Sequence, residues 1–341
     1  MHTDPLSKRE LVSRLLAAAQ FTRVLELIPR RQSLMVLNYH RIGDAVSSPI
    51  DSGVYSATAD EFDGHIRHLK KRFHLSTPDE ALAIAASNRP TRHTVLITFD
   101  DGYLDNYEIA FPILKAHGVS AMFFLATGFV GTGRMSWWDR ISWTIKRSAH
   151  TRIRLSYPHP VEFDLGRVGA LEACRQILRL YRGPSVTDPA RFERELSAVC
   201  GVEAAHEVPF QLFLDYDQAR EMQAAGMAIG SHTHSHSILT TLTPDAQREE
   251  FRLSREILER EMKRPIDVLA YPVGSRTAFS GASVEGLKST GYRAAFSHYG
   301  GFNRPGQIEQ FDIRRQAIGG VSHSRFRLQT AIGAVTGSRW F

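Results

Sequence analysis

Two carboxylates stand side by side at Asp100 and Asp101, separated by Thr98-Phe99 from the apolar run TVLI in HTVLITFDDGY, and three histidines alternate at His232, His234 and His236 in GSHTHSHSIL. An acidic pair at the mouth of a strand can be a plain turn, in which one Asp caps the next helix and Gly102 relaxes the backbone. It can also be a metal site in which one acid binds the ion and its neighbour moves protons. Neutral imidazoles are the commonest metal ligands, and two of them with one carboxylate leave a divalent ion a coordination position open for water. The spacing of the histidines allows two geometries. In a helical turn His232 and His236 share a face; in an extended segment all three point the same way.

These residues need elements that carry them to one place. SLMVLNYHRI reads as a strand ending at Tyr39-His40, DEFDGHIRHLKKRF as a helix, HTVLITFDDG as a strand, NYEIAFPILKAHG as a helix stopped by Gly118, and SAMFFLATGFVG as another strand. Strand, helix and strand at this spacing predict parallel pairing with right-handed crossovers. From about 134 to 210 the alternation pauses for three short amphipathic pieces, around MSWWDRISWTIKRS, VGALEACRQILRLYRG and DPARFERELSAVCG, which read as a helical insertion. It resumes with a helix in DYDQAREMQAAG, a strand in MAIGSH, a long helix opened by Thr243-Pro244, a strand in IDVLAYPVG, a helix in ASVEGLKSTG and a strand in YRAAFS. Chemistry-bearing residues at the C-termini of such strands predict a barrel-like α/β fold.

The composition narrows the classes. With 341 residues and 43% apolar content the chain can build a sizeable core. The net charge of +6 is spread along the chain, with no basic helix or zinc-finger spacing, so no specific nucleic-acid partner is expected. Cys174 and Cys200 imply neither an oxidising compartment nor a CxxC site. Residues 1–32 suggest an amphipathic helix that packs on its own domain or lies on a membrane surface. Neither a secretory signal nor a membrane-spanning run is visible, and the expected location is cytoplasmic, with peripheral membrane association as a variant.

In combination and order, TFDDG and SHTHSH resemble the first two motifs of the polysaccharide deacetylases of carbohydrate esterase family 4, the NodB-homology fold. The similarity extends through AMFFLATGFVG, EMQAAGMAIGSHTHSHSIL, VLAYPVG and GYRAAFS, and covers about residues 33–320 around the insertion. It implies a distorted (β/α)7 barrel, with the catalytic domain at 33–330. By position it makes Asp100 the general base and Asp101, His232 and His236 the protein ligands of a divalent metal, zinc first, with nickel, cobalt or iron also admissible. His234 then points into structure. The implied reaction is removal of N-acetyl groups from amino sugars of a glycan or glycoconjugate.

Two departures matter. The C-terminal histidine that usually supplies the acid has only a poor match in VSHSRF, at His323. Tyr39-His40 instead resembles the YH of circularly permuted deacetylases of poly-N-acetylglucosamine, which makes His40 the expected acid. The third motif, usually R-x-P-[F/Y], reads Ala270-Tyr271-Pro272-Val273. It makes Val273 N–H the candidate oxyanion donor and Tyr271 a pocket wall, but without the arginine that orients the base. Arg314 or Arg315 could replace it, or be a solvated surface pair. Trp137, Trp138 and Asp139 are either a sugar-stacking wall or core. Alternative readings are an amidohydrolase of the same fold acting on a non-sugar amide, and a glycan-binding pseudoenzyme that kept its metal. A precursor in envelope polysaccharide synthesis, such as a lipid-linked or nucleotide-linked sugar, is the expected substrate setting.

Overall fold

Every residue of the strands Ser33–Tyr39 (β1) and His93–Phe99 (β2) is buried. Continuous burial, rather than alternation with exposed positions, marks parallel strands covered on both faces. The computed structural model describes residues 28, 31–203, 207–320 and 322–336; the helix expected over 1–32 falls almost wholly outside them. Five further strands continue the main path of the sheet, Met122–Leu125 (β3), Ala228–Ser231 (β4), Val268–Ala270 (β5), Ala294–Phe296 (β6) and Arg315–Ala317 (β7), and a two-residue strand His74–Leu75 pairs with β2 off that path. Their spatial order is β6-β5-β4-β3-β2-β1-β7, with every neighbouring pair parallel. A parallel bridge between Phe296 and Ile313, just ahead of β7, brings the two ends of the sheet together. The result is a nearly closed, distorted (β/α)7 barrel.

Side-chain parity then decides what faces inward. In a strand, residues two apart share a face. Met35, Leu37, Tyr39, Val95, Ile97 and Phe99 pack outward against Phe62, Ile66 and Leu69 of the helix Ala59–Arg72 (α1). Leu34, Val36, Leu96, Met122, Phe124, Val268, Ala270, Phe296 and Ile313 form a second cluster inside the barrel. Continuing the inner parity past the apolar residues reaches Asn38 on β1 and His40 just beyond it, Thr98 on β2 and Asp100 just beyond it, His298 beyond β6 and Arg315 on β7. The inner face thus changes from hydrocarbon to polar groups at one end, where the strands finish.

The helices are positioned by local signals. Thr58 and Glu61 form a reciprocal capping box at the start of α1, Thr77 caps Pro78–Ser87 (α2) and Gly118 ends Phe111–His117 (α3) in the left-handed region. The stretch read as insertion holds three helices of ten residues or more, Trp137–Lys146 (α4), Ala170–Tyr181 (α5) and Pro189–Cys200 (α6), around their own apolar cluster, and a single helical turn at Leu165–Val168. It also holds an antiparallel strand pair, Arg152–Leu155 with Val161–Asp164, which the helical reading did not include. Its strands are only four residues long, too short for a periodicity signal. Cys174 and Cys200 are both buried and reduced. Helices Tyr216–Ala224 (α7), Pro244–Met262 (α8), Gly281–Ser289 (α9) and His323–Thr336 (α10) complete the shell. No helix among the described residues is long and apolar enough to cross a membrane.

Candidate metal centre and catalytic cleft

The adjacent acids separate because the backbone turns between them. Asp100 ends the inner parity of β2, whereas Asp101 takes a left-handed conformation, with φ 73°, and Gly102 follows at φ 80°. A β-carbon at Gly102 would lie 2.8 Å from Leu125 Cδ2, so this turn has no room for a side chain there. The histidine segment resolves in favour of a bend. Thr233 and His236 have φ of 64° and 55°, and Glu250 on α8 accepts hydrogen bonds from the N–H groups of His234 and Ser235 and from Ser235 Oγ. His234 is thereby turned away, its Nδ1 3.0 Å from Thr127 Oγ1. His232 and His236 face Asp101, whose Oδ1 lies 3.5 Å and 3.4 Å from their Nε2 atoms.

These three residues fit a divalent cation on their own chemistry. Their candidate ligand atoms all lie within 4.8 Å of one another, and all three residues are buried. His232 Nδ1 is 2.8 Å from the carbonyl of Ala270; donating there fixes the tautomer and leaves Nε2 to accept a cation. Asp101 Oδ1 and His232 Nε2 are buried without any hydrogen-bond partner, a costly condition that a shared cation removes. Burial, with Asp100 and Asp139 nearby, pushes the Asp101 carboxyl well above its ordinary range, and burial lowers both histidines. A cation would favour the ionised acid and the neutral imidazoles.

Asp100 has the opposite environment. Arg315 grips it with two bonds, Nη1 to Oδ1 at 2.7 Å and Nη2 to Oδ2 at 2.8 Å, and Asn38 Nδ2 donates to Oδ2 at 2.9 Å. Burial works to raise this carboxyl, but the Arg315 charge overrides it and holds it well below the usual range. Arg315 is itself fixed by the carbonyl of Ser297 at 3.0 Å and by Asn38 Oδ1 at 2.8 Å. Of the two arginines considered for the missing third-motif position, Arg315 orients Asp100. Arg314 does not; its guanidinium lies 6.0 Å from the Tyr299 ring. Asn38 and Thr98, which donates to Asn38 at 2.8 Å, were not singled out from sequence. The available signal was a pair of polar residues inside otherwise apolar strands.

His40 lies in the same cleft, Nε2 3.9 Å from Asp100 Oδ2. Burial is the main cause that lowers it to about 4, with Arg315 and His232 adding and Asp100 opposing. His298, unnoticed in the sequence, has its ring 5.4 Å from that of His40 and is lowered to about 3, chiefly by burial. Val273 lines the cleft with φ 60°, unusual for a β-branched residue. Tyr271 also lines it, with its hydroxyl spent on the carbonyl of Phe311 at 3.0 Å and its ring stacked on Phe279. His323 stands with His65 and His68 against α1 and takes no part in the cleft.

A family model for polysaccharide deacetylases matches residues 87–164 and 193–295, more than half the chain. The chain belongs to the polysaccharide deacetylase family. The unmatched residues 165–192 lie within the insertion. Among family relatives, YxkH of Bacillus subtilis strain 168, a polysaccharide deacetylase by name, is 24% identical over 76% of this chain and 62% of its own. The poly-beta-1,6-N-acetyl-D-glucosamine N-deacetylase of Staphylococcus aureus is 32% identical over 33% of this chain and 42% of its own. The chain therefore spans less than two thirds of the length of these relatives. IcaB from Ammonifex degensii superposes with a TM-score of 0.56 at 20% identity, covering 87% of this chain and 97% of that one. The Streptococcus pyogenes deacetylase PplD gives 0.53 at 18%, with the same coverages. Both likenesses are of fold.

In this family member the insertion reaches the candidate metal ligands. The ring of Trp138 lies 4.4 Å from that of His236, and Trp137 Nε1 donates to the His236 carbonyl at 3.2 Å. Trp138 Nε1 donates to Tyr103 Oη at 2.6 Å, Tyr103 donates to Asp139 at 2.8 Å, and Asp139 also accepts from Ser136 Oγ and from Asp51 N–H. Wall and core are thus one thing: the tryptophans are buried, yet they line the cleft. Replacing Trp138 by Leu should lower zinc affinity by about 10- to 100-fold, the usual effect of losing an outer-shell support. Competition against a chromophoric chelator would measure it; unchanged affinity with an unchanged melting curve would refute this buttressing role.

Proposed function

We propose that this chain is a metal-dependent N-deacetylase of amino sugars in a glycan or glycoconjugate. One observation carries the reading: a carboxylate gripped by a bidentate arginine stands directly beside three buried residues whose candidate ligand atoms all lie within 4.8 Å of one another. Asp101, His232 and His236 would hold the ion, with zinc the first choice. When bound, such an ion lowers the pKa of water and polarises an amide carbonyl.

The remaining roles belong to the chain. Asp100 accepts the proton of the attacking water as the C–O bond forms. Arg315 keeps Asp100 charged and therefore makes it a weak base, one that works only on acidified water, so the base and the cation-binding triad are matched. His40, 3.9 Å from Asp100, delivers a proton to the leaving nitrogen as the C–N bond breaks. Val273 N–H is offered to the developing oxyanion. The pseudoenzyme reading rested on a missing arginine, and Arg315 removes that ground. The relatives named as N-deacetylases support an N-acetylated sugar as substrate. A cytoplasmic or membrane-peripheral site of action, on a precursor, is part of the same proposal, and fractionation tests it separately.

The direct test is metal removal. Dialysis against a chelator should abolish acetate release from β-1,6-linked N-acetylglucosamine oligomers or N-acetylglucosamine conjugates, and added zinc, cobalt or nickel should restore it. Turnover that survives complete metal depletion would overturn the reading.

A further inference from the structure

The cleft is small. Its volume is about 260 Å³, just under the usual range of roughly 300–1,000 Å³ for ligand pockets, which leaves room for one sugar ring and its acetamido group rather than for several rings. Strand-end residues make one side. The other side comes from Asp51 and Val54 in the loop after β1 and from Trp137, Trp138, Leu178 and Arg182 of the insertion.

Arg182 stands out among these. It is the residue that ends α5, where its Nε donates to the Leu178 carbonyl at 3.1 Å, so the root of the guanidinium fork is fixed. Its terminal nitrogens meet no carboxylate among the described residues. Four other arginines of the insertion, Arg140, Arg152, Arg154 and Arg175, pair with Glu193, Asp164, Glu162 and Glu172, whereas Arg182 is the arginine that lines the cleft. Asp51, the carboxylate of the cleft wall that attracts Arg182, is engaged by Gly53 N–H at 2.8 Å and forms no ion pair with it. A half-anchored, partly desolvated guanidinium lining a single-sugar cleft suits a planar or tetrahedral anion, which it binds with paired N–H groups. An anion on a second sugar would need that sugar inside the cleft. An anion attached directly to the first sugar would sit at the rim, with the rest of its carrier outside.

We propose that Arg182 binds a phosphoryl group carried by the N-acetylated sugar itself, so that the substrate class is an N-acetylated glycosyl phosphate or diphosphate. This rests on the deacetylase reading and sharpens it. The carrier beyond the phosphate is a nucleotide or a polyprenyl chain, and both present the same chemistry to Arg182.

The test uses zinc-loaded protein and four probes: N-acetylglucosamine, its 1-phosphate, its uridine diphosphate conjugate, and its polyprenyl diphosphate conjugate in detergent micelles. Calorimetry should give the 1-phosphate about 10- to 100-fold tighter binding than the free sugar, the range for a charge-assisted pair. Arg182→Gln should erase that preference, bringing the 1-phosphate and the free sugar to equal affinity, and Arg182→Lys should retain part of it. Arg182 is exposed, and a melting curve checks that each variant is folded. Equal affinities in the parent protein, or a phosphate preference that survives in Arg182→Gln, would overturn the proposal. Faster acetate release from one of the two conjugates supports it and identifies the carrier. The two readings fail differently: free N-acetylglucosamine deacetylated without any phosphate preference would sink only the Arg182 site, whereas phosphate-selective binding with no acetate from any probe would sink the deacetylase reading.

Discussion

Asp100→Asn should keep the metal and lose the reaction. An amide in place of the carboxylate preserves shape, but it cannot take a proton from water, and removal of a positioned general base typically costs 10²- to 10⁴-fold in rate. Asp101, His232 and His236 carry the candidate ligand atoms, so metal content should be unchanged. The expected result is kcat lower by about a thousandfold, with stoichiometric zinc by elemental analysis. Should Asp100→Asn lose its metal instead, the division of labour between the two acids is reversed; should it turn over at the parent rate, Asp100 is no base at all.

Arg315→Met should be the most destabilising single change at the site. Asp100 is 1% exposed and Arg315 0%, and removing one partner of a buried pair leaves an uncompensated charge at a cost of about 3–5 kcal/mol. Urea unfolding of the metal-free protein would show this as a lower midpoint at unchanged slope. Combining it with Asp100→Asn removes the stranded charge, so the double variant should recover a large part of the loss; strict additivity of the two changes would argue that the pair does not interact. A buried ion pair is no better for stability than well-packed hydrocarbon. Its presence in an otherwise apolar barrel interior is understood from what it does to Asp100, which it keeps ionised and aimed at the cleft.

Much of this was readable along the chain because the information was local. The apolar runs and their terminating carboxylate pair defined β2 and its mouth. Helical spacing, Thr58 with Glu61, and Gly118 defined α1 and α3. The types of residue in DDG and HTHSH defined a metal-ligating chemistry, and their resemblance to a known family gave the fold. Between the two histidine geometries the sequence left a choice, because that depended on Glu250 of α8, fourteen residues beyond His236, bending the loop.

Tertiary structure alone decided which arginine meets Asp100. Arg315 is 215 residues away in sequence and sits on β7, three residues long and without an apolar run, so neither propensity nor periodicity marked it as a strand. It becomes one by pairing with β1 as the barrel closes, and closure turns its side chain inward beside Asn38 and Thr98. The same holds for His298 on the inner parity beyond β6 and for Trp138 against His236, which come from separate elements. Residue types and short-range spacing fix what chemistry a chain can do; which distant groups share one low-dielectric cleft is fixed by the closing of the sheet, because contacts between strands have no period along the sequence.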